Sequence, residues 1–129
     1  MFGCRGTSCI MVEIDSCLPT ATYSTRSLAN APSKLWSECL VYDMKGTVFV
    51  IGGTVEGPPV NTVHRYIVRD NHWMEQYSTP PLNVARAYAS ACCHGNNIFV
   101  AGGGNREPIE MLSLDALDRG EASWERIES

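Results

Sequence analysis

The hydrophobic residues of this chain come in short runs that end at glycine, proline or polar clusters. Thr47-Val-Phe-Val-Ile51 and Ile98-Phe-Val-Ala101 are apolar without alternation, and each is stopped by a glycine pair. Runs of that length, rich in β-branched and aromatic residues and bounded by turn residues, predict strands buried on both faces. The segments before them, Cys39–Tyr42 and Tyr88–Cys93, join them through Asp43-Met-Lys-Gly46 and His94-Gly-Asn-Asn97. These are short glycine-containing links of the hairpin kind. Val63–Tyr66 and Ile109–Leu112 predict a third strand in each group, and Arg69-Asp70-Asn71-His72 has the composition of a turn into a fourth. No segment sustains the 3.6-residue apolar period of a helix; Met111–Leu117 comes nearest and is short. The predicted fold class is all-β.

These elements repeat. The pairs Gly52-Gly53 and Gly102-Gly103 lie 102 − 52 = 50 positions apart, and Trp73 and Trp124 lie 51 apart, each opening a short outer run. Three features in one order at one period mark an internal repeat of about fifty residues. It extends backwards in a fainter form. Tyr23 stands 50 before Trp73, Ala31-Pro32 stands 50 before Pro81-Leu82, and Cys9–Asp15 sits where Val63–Val68 sits one unit later. The predicted organisation is the second half of a unit over 1–35, then full units over 36–85 and 86–129; residues 2–8 are too short and glycine-rich to assign. Four antiparallel strands per unit, the inner ones covered on both sides, predict blades stacked broad face to broad face, the radial arrangement of a β-propeller. Consecutive glycines would then end a strand where another backbone comes close, and an indole would cover area between blades.

The residues that recur resemble the kelch repeat: Gly52-Gly53 after an apolar strand, Tyr66 on the next strand, Trp73 beyond it, and Pro80-Pro81 leading to Arg86. The last unit keeps Gly102, Gly103 and Trp124 but has Leu112 near the position of the tyrosine, and Asp115–Ser123 makes a longer link to its fourth strand. In the half unit Tyr23 replaces the tryptophan, and Trp36 stands where Arg86 falls one unit later. The resemblance covers about residues 9–128 and implies an incomplete kelch-type β-propeller of four-stranded antiparallel blades. Closed rings need about four to eight blades. Some two and a half units therefore imply a segment of a longer chain or assembly of copies, two of which would supply about five blades.

Composition narrows the function. The 129 residues, 44% hydrophobic, have room for one ordinary domain. Ten Lys+Arg against fourteen Asp+Glu give a net charge of −4, and the stretch from Glu107 onward holds seven acidic residues against two basic. That balance argues against a nucleic-acid partner or an anionic membrane surface. The longest uncharged stretch, the nineteen residues Ala87–Asn105, is interrupted by His94-Gly-Asn-Asn97 and closing glycines, so it cannot span lipid as one helix. The apolar patch Cys9–Val12 is too short for the core of a secretory signal. Without an export signal or a glycosylation sequon, and with Cys92 beside Cys93, the six cysteines are expected as free thiols in a reducing, cytoplasmic setting. Cys4, Cys9 and Cys17, with His64, His72 and His94 scattered, lack zinc-site spacing, so neither metal nor cofactor is predicted.

Catalytic signals are weak. Gly102-Gly-Gly-Asn105 follows a strand, but no helix comes after it as in a phosphate-binding loop. Cys92 and Cys93 read as small buried hydrophobes. No G-x-S-x-G elbow exists, and the aspartate box of sialidase propellers is missing. Glu107, Glu110, Asp115 and Asp118 read as an acidic solvated stretch without the geometry of a carboxylate pair. No catalytic residue is predicted, and the expected role is non-enzymatic binding of a protein or peptide by loops on a rigid platform. The resemblance points to the loops over 54–62, 104–108 and 78–85. Their candidate contacts are Glu56, Asn61, Tyr77, Asn83, Arg86, Asn105 and Arg106. For Arg86 the other reading is a structural member of the repeat that bonds neighbouring carbonyls. The resemblance further implies a substrate receptor of a cullin ubiquitin ligase or a scaffold adaptor; the alternative is a relative of a propeller enzyme with metal or sugar chemistry.

Overall fold

The computed structural model of the chain describes residues 2–5, 8–14, 23–30, 37–75, 78–103 and 107–127, with side chains from residue 27 onward. Three antiparallel sheets follow one another. The first is three-stranded, with β1 (Phe2–Arg5), β2 (Ser8–Ile14) and β3 (Tyr23–Leu28) side by side in chain order. The second holds β4 (Cys39–Tyr42), β5 (Thr47–Ile51), β6 (Val63–Ile67) and β7 (His72–Trp73); the third holds β8 (Ala89–His94), β9 (Asn97–Gly102), β10 (Ile109–Ser113) and β11 (Glu125–Ile127). Both are four-stranded meanders. The segment left unassigned from sequence forms β1, which pairs with β2 from Phe2↔Met11 to Arg5↔Ser8.

One element departs from the all-β reading. The long link after β10 contains a short helix, α1 (Leu114–Asp118), started by the Ser113 hydroxyl, which accepts from the Ala116 N–H at 3.2 Å. A single turn needs a cap and no apolar period, so periodicity could not reveal it. The hairpins follow their turn residues. The Asp43 carboxylate accepts the N–H groups of Lys45 (2.7 Å) and Thr47 (3.0 Å), holding the β4–β5 link in a local turn. His94 pairs directly with Asn97, and Gly95 takes φ +59° in the two-residue connection between them.

The sheets pack broadside. Val48, Val50 and Tyr66 of the second sheet bury against Leu28 of the first. Phe49, Ile51, Val63, Cys39 and Val41, on its opposite face, bury against Ile98, Val100, Leu112 and Trp124 of the third. Strand β5 is therefore covered on both sides, as its unbroken apolar run predicts. Strand β9 is not. Ile98 and Val100 are buried, but Phe99 and Ala101 on the other face are only half-buried, because no described residue packs a further sheet there. Phe49 and Phe99 occupy the same repeat position, so the difference comes from neighbours and not from residue type.

Each outer-strand indole ties its sheet to the one before. Trp73 Nε1 donates to the Ala29 carbonyl at 2.9 Å, and Trp124 Nε1 donates to the Pro80 carbonyl at 2.8 Å, both reaching 44 positions back. Trp124 is buried; Trp73 is half-buried and leans on Tyr66 with ring centroids 5.1 Å apart. The glycine pairs admit backbone as expected, though not at equivalent residues. Gly52 has φ +65°, and a side chain there would collide with the Arg86 carbonyl oxygen, while the Gly53 N–H donates to that same oxygen at 2.7 Å. In the third sheet the close approach moves one residue on: a Cβ on Gly103 would meet the Ala87 oxygen at 2.6 Å, whereas Gly102 faces open space.

Gly52→Ala and Gly102→Ala both force an L-residue into positive φ, at about 1–3 kcal/mol each. Only the first also meets backbone. Gly52→Ala is expected to cost at least about 2 kcal/mol more than Gly102→Ala in urea unfolding; equal losses would refute the close-approach account.

Candidate functional site

The segment from Pro80 to Tyr88 runs between the second and third sheets as a strap bonded to both. Toward the second sheet, Leu82 N–H donates to the Asn61 carbonyl (2.8 Å), the Asn61 side chain donates to the Leu82 carbonyl (3.1 Å), and Arg86 N–H donates to the Val60 carbonyl (3.1 Å). Toward the third, Asn83 and Val84 N–H groups donate to the Glu110 carboxylate at 2.6 and 3.3 Å, and the Asn83 side chain donates to the Trp124 carbonyl at 2.8 Å. Proline at 80 and 81 removes two backbone donors from a segment that must satisfy every buried one.

Arg86 sits at the centre of this strap with its side chain wholly buried. It pairs with Glu110, also wholly buried, at 3.1 Å. It also donates to the Gly102 carbonyl at 3.0 Å and to the Pro108 carbonyl. Four donors thus converge on one carboxylate, and the guanidinium fork is spent on one carboxylate and two carbonyls. The structural reading of Arg86 holds, and its expected place as a partner contact is corrected, since no partner can reach it. Glu110 corrects the sequence reading too: it is not solvated but the ionic centre of the interface. Its signal was the alternation of β10, which puts Glu110 on the same face as buried Leu112.

The same register position in the second sheet holds His64, which pairs with Val50 as Glu110 pairs with Val100. His64 is buried, its Nδ1 has no hydrogen-bond partner among the described residues, and burial lowers its pKa. Burial likewise pushes the Cys39 thiol up to about 11. Cys39, Cys92 and Cys93 are free thiols, but Cys92 is exposed, which corrects the expectation that both adjacent cysteines are buried; successive residues of β8 point to opposite faces. Among the described residues no three His, Cys, Asp or Glu side chains gather as metal ligands.

Of the other loop candidates, Asn61 and Asn83 spend their amides inside the strap. Glu56 stands free. It is exposed with φ +49° in the loop after Gly53, closed by the Thr54–Pro59 bridge and flanked by exposed Val55, Pro58 and Pro59. Tyr77, Asn105 and Arg106 lie outside the described residues. One residue was missed. Tyr88, just before β8, is 82% exposed and held at φ +58°, a conformation unfavourable for an aromatic residue, with its N–H donating to the Ser37 carbonyl at 3.0 Å. Ser37 stands 51 residues earlier with the same φ of 58°, so repeat alignment puts an aromatic where the preceding unit has a serine. The Gly52–Arg86 contact brings Tyr88 to the same end of the sheets as the 54–59 loop.

Antiparallel four-stranded sheets stacked broadside and joined by inter-sheet straps define a segment of a β-propeller. Residues 44–76, from the β4–β5 turn through β7, match the family model described as the Kelch motif. That stretch carries a kelch motif, and two four-stranded antiparallel sheets with almost no helix are consistent with an incomplete kelch-type propeller. Comparison with curated proteins finds no match. No described helix is long and apolar enough to cross a membrane.

Two outcomes follow from this geometry. Glu110→Ala leaves the Arg86 charge buried and unpaired, and is expected to cost about 3–5 kcal/mol by urea unfolding; a loss below about 1 kcal/mol would contradict the buried pair. For His64, a base whose folded pKa is depressed, the folded state binds fewer protons than the unfolded one, so its contribution is lost as pH falls through and below about 6.5. His64→Phe should flatten the fall in melting temperature between about pH 7.5 and 5.5; an unchanged slope would remove His64 as its source.

Proposed function

We propose that this chain is a non-enzymatic protein-interaction module that engages a protein or peptide through the end of its blades carrying the 54–59 loop and Tyr88. The observation that carries this reading is Tyr88: a large aromatic ring held out in solvent on strained backbone, beside a strap bonded to both sheets. Strain of that kind persists only where surrounding structure imposes it, and it concentrates at functional positions. A tyrosine offers broad contact area with few rotatable bonds, which suits it to anchor an interface. Exposed Val55, Pro58 and Pro59 offer apolar surface in the 54–59 loop, and Glu56 adds a charge.

The kelch motif supports a protein-binding role in general. Within that role we favour a substrate-receptor or scaffold-adaptor duty, the two that its resemblance implies. A cytoplasmic setting accords with the free thiols at Cys39, Cys92 and Cys93.

The test is a crosslinking pull-down from lysate read by mass spectrometry. Tyr88→Gly removes the ring while relieving the positive φ, and Val55→Asp alters an exposed loop position, so neither threatens folding. Both are expected to reduce recovery of specific partners by about tenfold. Arg119→Ala, on the exposed α1 end of the third sheet, should leave them unchanged. Identical partner lists for all three variants and the wild type would sink the proposal.

A further inference from the structure

Two broad sheet faces have no neighbour among the described residues, one at each end of the stack. On the third sheet it is the face turned from the second. Cys92 of β8, Phe99 and Ala101 of β9, Ile109 and Met111 of β10 and Ile127 of β11 share it by register. Cys92 is exposed and the other five are half-buried. The strands place one carboxylate on this face, Glu125, and no lysine or arginine. An antiparallel sheet with one solvated side alternates apolar and polar positions. The central strands β9 and β10 instead carry Phe99, Ala101, Ile109 and Met111 on the side that faces solvent, and apolar area of that extent marks a contact surface.

The two junctions inside the stack show what such a face accepts. Each sets the trailing face of one sheet on the leading face of the next. Val48, Val50 and Tyr66 lead the second sheet onto Leu28 of the first. Ile98, Val100 and Leu112 lead the third onto Phe49 and Ile51 of the second. Phe99 has the place in the third sheet that Phe49 has in the second, so its face is a trailing face, matched by branched residues on a central strand. The first sheet holds a set of that kind. Cys9 pairs with Leu28, whose face meets the second sheet, so the alternate residues Ile10, Val12 and Ile14 of β2 fall on the opposite face. By register the one charged residue there is Arg5, which pairs with Ser8. With Glu125 on one face and Arg5 on the other, no like charges oppose a contact between them.

We propose that the open face of the third sheet docks on the open face of the first sheet of a second copy of this chain, and that two copies joined in this way close a ring of six sheets. A contact between two different faces of one chain is heterologous, and it ends in a ring when the rotation closes. Three sheets from each copy make six, within the range of about four to eight for closed propellers. The contact then occurs twice, and Phe99 gains the kind of neighbour that Phe49 has within the chain. The occupant is a second copy because both mating sets, Phe99 with Met111 and Ile10 with Val12, belong to this chain. Mass reports on these broad faces and partner recovery on the loop end, so the two can fail separately.

Sedimentation and light scattering on the purified full chain test the ring. A mass of 28.4 kDa, twice the 14.2 kDa of one chain, is expected as a plateau at high concentration. It should dissociate on dilution with a Kd on the order of 1 μM. Ala101→Asp puts an unpaired charge into the contact, and Cys92→Asp does so at an exposed side chain that the core does not use. Each should raise Kd at least about tenfold. Arg119→Ala, on the exposed end of α1, should leave it unchanged. Iodoacetamide labelling read by peptide mass spectrometry needs no variant. Cys92 should react about tenfold more slowly above the Kd than below it, while Cys93, packed toward the second sheet, keeps one rate. A mass of one chain at every concentration, masses that grow past two copies without a plateau, a Kd unmoved by both aspartates, or Cys92 labelling independent of concentration would each overturn the proposal.

Discussion

The arrangement of this molecule depends on one constraint: a stretch of irregular backbone has to pass between two buried sheet faces without leaving its polar groups unpaired. A buried N–H or carbonyl without a partner costs as much as a lost hydrogen bond or more. The strap from Pro80 to Tyr88 meets this by bonding on both sides, to Asn61, Val60 and Gly53 on one and to Glu110 and Trp124 on the other. The glycine at 52 lets its Arg86 carbonyl come close enough to the end of β5, and the Arg86 side chain then reaches across to Glu110. Backbone and side chain of one residue thereby fix the spacing of two sheets.

That arrangement also decides what is left for function. Most polar groups near the strap are already engaged, which leaves the Tyr88 ring and the loop around Glu56 as the exposed features at that end. Tyr88, two residues beyond Arg86, keeps its positive φ with its N–H donating to the Ser37 carbonyl. At the far end the third sheet has a helix where the second has a tight turn at Val68–Asn71. There Arg65 Nε has no hydrogen-bond partner among the described residues.

Much of the fold was legible in the residues. The unbroken apolar run of β5, the glycine pairs fifty apart and the tryptophans fifty-one apart led to stacked four-stranded sheets, and the indole-to-carbonyl bonds reaching 44 residues back repeat with the same regularity. The candidate site was legible only in part. Asn61, Asn83 and Arg86 carry polar groups of the kind suited to recognition, but those groups are bonded inside the interface. Glu110 was read as solvated because its neighbours in sequence are acidic, while strand alternation turned it inward toward the strap. Tyr88 carries no signal in the sequence, because residue type says nothing of a positive φ or of exposure.

The chain by itself determined the period, the strand order within each sheet and the glycines that admit a second backbone, because these follow from local side-chain size, branching and backbone freedom. Tertiary structure alone decided which faces are covered and which charges find partners. Phe49 is buried and Phe99 is not; Glu110 meets Arg86 while His64, in the same register, has an unpartnered Nδ1. Residues of like position differ in this way because desolvation and pairing depend on what lies across the gap, and that neighbour is brought there by the packing of sheets far apart in sequence.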